Sequence, residues 1–288
     1  MKLTFLGTSA GESYPGIWCD CPNCTYAREH GGRNIRMNTG SMIDDDILMD
    51  MNSCGFYTAA RLGVSLVGIK HLLVTHAHSD HLTMEPLAWR QAAPGAAEAS
   101  ESERVAMVSP TFTRIPQMTV YGNSEVMARF SQEAPHLFNE GMRLSFEEIK
   151  EGVRVEKENL TFTPVRAQHG ATLSHSYIIE RGGKTLLYAL DTGGYDADML
   201  DFILDRKYDA VVMEGTFGNS AKESVGHMNK TGNIRFRRLL IEKGCISEKT
   251  PFFLTHLCPH WTPPHDLYAP EMAKEGFIVA YDGMTAEI

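Results

Sequence analysis

Short apolar runs, each closed by Gly, Asp, His or Asn, recur along the whole chain. Runs of this length, rich in β-branched and aromatic residues, predict strands. They fall at 2–6, 70–75, 118–121, 153–156, 160–166, 175–180, 184–190, 209–214, 251–255 and 277–281. Residues 41–50, with an acidic centre, predict a hairpin. Helical spacing appears at Met84–Arg90, at Ser124–Ser131 behind a cap at Asn123 or Ser124, at 196–205, and at Asn229–Lys243 ahead of Gly244. Strands dominate both halves with helices between them, which places the chain in the α/β (α+β) class. Neither a linker nor a clear internal repeat divides it, so residues 1–288 read as a single domain. Residues 92–117 break the pattern. They are small, acidic and weakly periodic, and predict a partly mobile surface insertion more readily than a lid.

Chemistry-bearing residues gather where the strands stop. After Leu72-Leu73-Val74 the chain reads Thr75-His76-Ala77-His78-Ser79-Asp80-His81, with four potential ligands in six residues. In extended backbone His76 and His78 point the same way, and a tight turn brings Asp80 and His81 to a neighbouring point. That arrangement suits two nearby metals better than one, and imidazole with carboxylate suits Zn, Mn or Fe. His169, Asp191 and His256 follow three further apolar strands. Each alone is an ordinary strand-end residue, but their joint appearance after separate strands completes a ligand set.

This set resembles that of the metallo-β-lactamase-fold hydrolases over nearly the whole chain. The resemblance implies a four-layer αββα sandwich, two mixed β-sheets flanked by helices, with the ligands on loops at one edge. It implies His76, His78 and His169 on a first metal, Asp80, His81 and His256 on a second, and Asp191 bridging them. Asp50, after Ile47-Leu48-Met49, would support the site by hydrogen bonds without binding metal. Redox di-iron relatives carry glutamate where this chain has His78. Fewer carboxylates favour hydrolytic Lewis-acid chemistry.

Composition narrows the reading. The formal net charge of −9 gives no overall basic field to attract nucleic acid. No apolar run approaches a membrane span, and the first residues read as a strand, so a cytoplasmic location is expected. Three of six cysteines crowd into Cys19-Asp20-Cys21-Pro22-Asn23-Cys24, and in a reducing compartment such crowding predicts metal before disulfide. One tetrahedral structural zinc would need a fourth ligand, with Cys258 and His260 as the candidates. The motif, the central HxHxDH and Gly276-Phe277-Ile278-Val279-Ala280-Tyr281-Asp282-Gly283-Met284 resemble the phosphoribosyl cyclic-phosphate phosphodiesterases of phosphonate catabolism. There the fourth ligand is a histidine shortly after the last active-site histidine, which favours His260 here, with Cys258 as the alternative.

Two metals could activate a bridging hydroxide and stabilise an in-line phosphoryl displacement. Glu214-Gly215-Thr216-Phe217 and Gly226-His227-Met228-Asn229 are similar to segments of ribonuclease Z-type phosphodiesterases. They nominate His227 as general acid, oriented by Glu214, with Asp80 serving both catalysis and metal binding. The expectation is a phosphodiesterase with two active-site metals (Zn or Mn) and one structural zinc. Its substrate would be a small cyclic or nucleotide-like phosphodiester, a phosphoribosyl cyclic phosphate first. A homodimer is left open, and neither nucleic acid nor membrane is expected as a partner. The alternatives are a tRNA 3′-processing endonuclease, disfavoured by the acidic charge, and a cofactor-biosynthesis protein of the pyrroloquinoline quinone type, disfavoured by the intact His76 and His78. His30, His71, His136, His175 and His265 read as structural or surface residues.

Overall fold

The computed structural model describes residues 1–90, 115–222 and 226–288. The expected insertion falls outside them except for residues 115–117. Two seven-stranded mixed sheets pack face to face with helices on their outer sides, the four-layer arrangement anticipated.

The first sheet carries β1 (Lys2–Gly7), β2 (Gly40–Ile43), β3 (Ile47–Met49), β4 (His71–Leu73), β5 (Met118–Gly122) and β6 (Leu144–Glu148), with β14 (Thr285–Glu287) returning beside β1. The second holds β7 (Val155–Lys157), β8 (Leu160–Ala167), β9 (Ser174–Arg181), β10 (Lys184–Ala189), β11 (Ala210–Glu214), β12 (Phe252–Thr255) and β13 (Ile278–Val279). The two sheets repeat one pairing scheme. In the order β14-β1-β2-β3-β4-β5-β6 the first three pairings are antiparallel and the last three parallel. In the order β7 to β13 the same holds. The sequence shows no such repeat because pairing direction leaves no mark on composition.

Alternation along the strands divides the core. Leu3, Phe5, Met49 and Leu73 meet Phe162, Tyr177, Tyr188 and Phe253 between the sheets. The opposite face of the first sheet packs Leu48, Leu72 and Val120 against α2 (Gly55–Leu62), α3 (Glu85–Ala88) and α4 (Ser124–Glu133). Val211, Met213 and Leu254 of the second sheet pack against α5 (Ala197–Leu204), α6 (Lys230–Glu242) and α7 (His265–Ala273). Asn123 caps α4 and Asn229 caps α6, each side chain accepting a backbone N–H. Among the described residues no helix is long and apolar enough to cross a membrane.

Several elements escaped the sequence reading. Helix α1 (Pro22–His30) begins inside the cysteine motif, with Pro22 in its first turn. Helix α7 contains Pro270, a residue that ordinarily argues against a helix interior. Strand β6 is half-buried along its length, so its apolar alternation is weak. The helix expected over Met84–Arg90 shortens to α3. The strand expected at 277–281 is only β13, and β14 lies beyond it.

Candidate metal centre

Strands of both sheets end at one edge, and the chain runs from them into the ligands. β4 runs into His76–His81, β8 into His169, β10 into Asp191, β11 stops at Glu214, and β12 runs into His256. Asp50, Asp191 and His256 each follow a strand in left-handed backbone, with φ of 62°, 45° and 56°. That conformation is costly for a residue with a Cβ, and it turns the chain abruptly at the end of each strand. Asp50 after β3 and Asp191 after β10 occupy matching places in the shared pairing scheme.

Asp191 is the hub. Its Oδ2 lies 3.2 Å from His76 Nε2, 3.3 Å from His81 Nε2 and 3.5 Å from His169 Nε2, and its Oδ1 lies 3.0 Å from His256 Nε2. Two four-residue groups share it: His76, His78, His169 and Asp191, then Asp80, His81, His256 and Asp191. His78 Nδ1 sits 3.2 Å from His169 Nε2, and His81 Nε2 sits 3.1 Å from His256 Nε2. Asp80 Oδ2 is 3.4 Å from His81 Nε2 and 3.6 Å from His256 Nε2. All seven expected ligands therefore converge.

Every imidazole is fixed from behind. Asp50 accepts at 2.8 Å from His81 Nδ1 and takes the Thr75 N–H and hydroxyl. Thr216 Oγ1 lies 2.8 Å from His256 Nδ1, Thr172 Oγ1 3.1 Å from His78 Nε2, and Thr75 Oγ1 3.1 Å from His76 Nδ1. His169 Nδ1 faces the Gly226 carbonyl at 3.0 Å. Such partners choose which ring nitrogen is left to point inward. Arg129 of α4 donates to the carbonyls of Ala77 and Leu82 and so grips the His76–His81 loop at both ends. The threonines and Arg129 carried no sequence signal that separates them from ordinary strand-end and surface residues.

The inward atoms fit a cation. Buried His76 Nε2 and Asp191 Oδ1 make no hydrogen bond. Facing imidazole nitrogens at 3.1–3.2 Å can share at most one proton between them, and a metal ion would satisfy both lone pairs. Burial, aided by His81, pushes His76 down to about 3, into the neutral form that ligates. Burial alone would raise Asp80 and Asp191, but the surrounding histidines outweigh it and hold both carboxyls well below the usual range. Conversely, Asp191, Asp50 and Asp80 lift His81 despite its burial.

His227 stands beside both groups, its ring 4.9 Å from His169 and 5.9 Å from His256. Its Nδ1 is 3.1 Å from Oε1 of fully buried Glu214, whose carboxylate also accepts the N–H groups of Met228 and Thr216. Burial lowers the His227 pKa, but Glu214 more than compensates and takes it up to about 9. A 380 Å³ cavity lined by Arg166, Gln168, His169, Thr172 and Asp196 opens alongside.

The thiols of Cys19, Cys21 and Cys24 lie within 4.8 Å of one another. Cys19 Sγ is 3.6 Å from His260 Nδ1, and His260 Nε2 is 2.9 Å from Glu12 Oε1. A histidine held by a carboxylate on one nitrogen and turned to a thiol with the other has the form of a zinc ligand. Cys258 lies in the same loop, and burial pushes its thiol up. Cys24 is pushed up to about 12 by burial, whereas the Cys24 N–H and Cys19 thiol lower Cys21 against its own burial. Of the histidines read as structural, His265 is buried with its Nδ1 3.0 Å from Arg36, and His175 is buried without a hydrogen bond to either ring nitrogen.

Known proteins share this fold. Residues 54–243 match the family described as beta-lactamase superfamily domain. No curated protein gives a significant match. Among solved structures, a diphosphatase of the PhnP family superposes with a TM-score of 0.71 at 19% identity, covering 100% of this chain and 98% of that one. Zn(2+)-bound PqqB from Methylobacterium extorquens gives 0.70 at 18%, with full coverage of both chains. The short form of human tRNase Z gives 0.65 at 14%, covering 100% and 99%. At these identities the likeness establishes the fold, and the family match carries the assignment. The chain belongs to the beta-lactamase superfamily domain family as a metallo-β-lactamase-fold, metal-dependent hydrolase.

Proposed function

We propose that the protein is a phosphodiesterase that hydrolyses a small cyclic or nucleotide-like phosphodiester, with a phosphoribosyl cyclic phosphate as the first substrate to test. The observation that carries this reading is the Glu214–His227 pair beside two ligand groups that share Asp191. His76, His78 and His169 would hold one divalent ion, Asp80, His81 and His256 another, and Asp191 both. Zn and Mn each suit this donor set. Bound there, two such ions supply Lewis-acid stabilisation of phosphoryl oxygens and lower the pKa of water.

The chain's own residues do the rest. Asp50, Thr75, Thr172 and Thr216 keep the imidazoles aimed, so little reorganisation accompanies the reaction. His227, protonated at Nε2 and held at Nδ1 by Glu214, donates a proton to the departing alkoxide. The neighbouring cavity is at the small end of ligand sites and suits a compact diester. The cysteine cluster with His260 would hold a structural zinc that ties α1 to the His256 loop and leaves no position for water.

Metal analysis combined with a substrate screen tests this. The screen comprises bis-p-nitrophenyl phosphate, cyclic nucleotides, a phosphoribosyl cyclic phosphate and a precursor tRNA. Three metals per chain with turnover of small diesters alone is the expected result. Cleavage of the tRNA only, or no diesterase activity in metal-replete protein, would reject the proposal.

A further inference from the structure

A row of rings leads from the metal centre to the surface. His227 lies nearly parallel to His256, at 22°. Phe217 stands edge-on to His227 with centroids 5.4 Å apart, and Trp261 stands edge-on to Phe217 at 6.2 Å. Trp261 leaves 45% of its surface exposed beside a buried polar centre. Its place in the sequence of ring contacts from His256 through His227 and Phe217, more than its exposure, sets it apart. Lys222 Nζ is 5.8 Å from the Phe217 centroid, which puts a cation at the same mouth of an acidic protein.

The two aromatic residues are held in place. Phe217 donates its N–H to Met228, Asn219 donates to the Trp261 carbonyl, and Lys230 donates to the Gly218 carbonyl. Gly218 has φ of 35°, and a Cβ there would come within 2.6 Å of the Trp261 carbonyl oxygen. The Phe217 turn and the Trp261 loop thus lock together at backbone contact. Rigid rings lose little entropy when a ligand lies on them.

We propose that Trp261, buttressed edge-on by Phe217, forms a stacking subsite for a planar ring carried on the leaving-group side of the substrate. Within the proposed class the subsite favours nucleotide-like members, so a cyclic nucleotide would outrank the phosphoribosyl cyclic phosphate that the ligand set alone puts first. The proposal rests on the phosphodiesterase reading and on His227 protonating the leaving group, because His227 adjoins the rings. Aromatic faces stack on any base without reading its edges, so the subsite would favour planarity with little base preference.

The test compares the metal-replete wild type with Phe217→Leu and Trp261→Leu. Kinetics are measured on a 2′,3′-cyclic nucleotide and on a base-free ribosyl cyclic phosphate. Each substitution should raise KM for the nucleotide about tenfold and leave the base-free KM within twofold, with kcat and metal content preserved. An equal change for both substrates, or none, would overturn the subsite. Calorimetric binding of adenosine monophosphate against ribose 5-phosphate gives an answer without turnover. A wild-type preference for the nucleotide of about tenfold, lost in both variants, supports the subsite even if no diester is cleaved. Absence of that preference sinks it even if diesters are cleaved.

Discussion

At the residue scale, His227 and Asp282 make opposite uses of burial. His227 is lifted chiefly by Glu214, with Asp191 adding to it, and reaches the neighbourhood of both ligand groups, so it can give up a proton where charge develops. His227→Ala should lower kcat by about 100- to 10,000-fold while the metal content stays unchanged, as measured by turnover and metal analysis together. Unchanged turnover would remove its role. Asp282 has Arg61 at 3.5 Å, yet burial still decides its state. Its side chain is 2% exposed, and it accepts from the Thr8 hydroxyl and the Met37 N–H. Burial outweighs these bonds and the charges of Arg36 and Arg61, and raises its carboxyl to about 6. The folded pKa exceeds the unfolded one, so the native state binds the proton more tightly. The corresponding stability is fully present below about pH 4 and is lost as the pH rises through 6. Relative to Asp282→Asn, the wild type should lose on the order of 2–3 kcal/mol between pH 4 and 7.5, read from denaturant unfolding at each pH. A constant difference would contradict the shift.

At the element scale, the strands were legible because each is a short apolar run closed by a polar residue, and the ligands are those closing residues. His76, His169, Asp191 and His256 could be read for that reason. Helix α7 could not, because Pro270 masks it, nor could α1, a short polar run that buries only Cys24 and Ala27. The supporting threonines were invisible for another reason. A hydroxyl acquires its role only when a distant imidazole arrives beside it, as His256 does beside Thr216. The cysteine motif was legible as metal chemistry, but its placement was not. It spans the N-terminus of α1 and faces His260 across the chain. Cys21→Ser should release about one zinc per chain and lower Tm by about 5 °C, while folded protein keeps its activity. Full zinc content in that variant would refute the structural-zinc assignment.

At the scale of the whole molecule, the centre is a joint between two sheets. The first contributes His76, His78, Asp80 and His81, and the second contributes His169, Asp191 and His256. Metal bound there braces one sheet against the other, and binding the native state alone stabilises it by mass action. Stripping the metals with a chelator should therefore lower Tm by roughly 10 °C, and restoring Zn or Mn should recover it. A Tm indifferent to chelation would contradict the brace.

The repeated pairing scheme, with Asp50 and Asp191 in matching places, bears on how the molecule assembles. Each half can complete its own strand pairing except for the late arrival of β14, yet neither half holds a full ligand set. Asp191, His169 and His256 come beside the His76–His81 loop only when the two halves dock. Tight metal uptake then becomes a clock for the last step of folding. In refolding from denaturant, backbone circular dichroism should recover before a metal indicator reports capture, and the delay should measure the docking of two nearly equivalent halves.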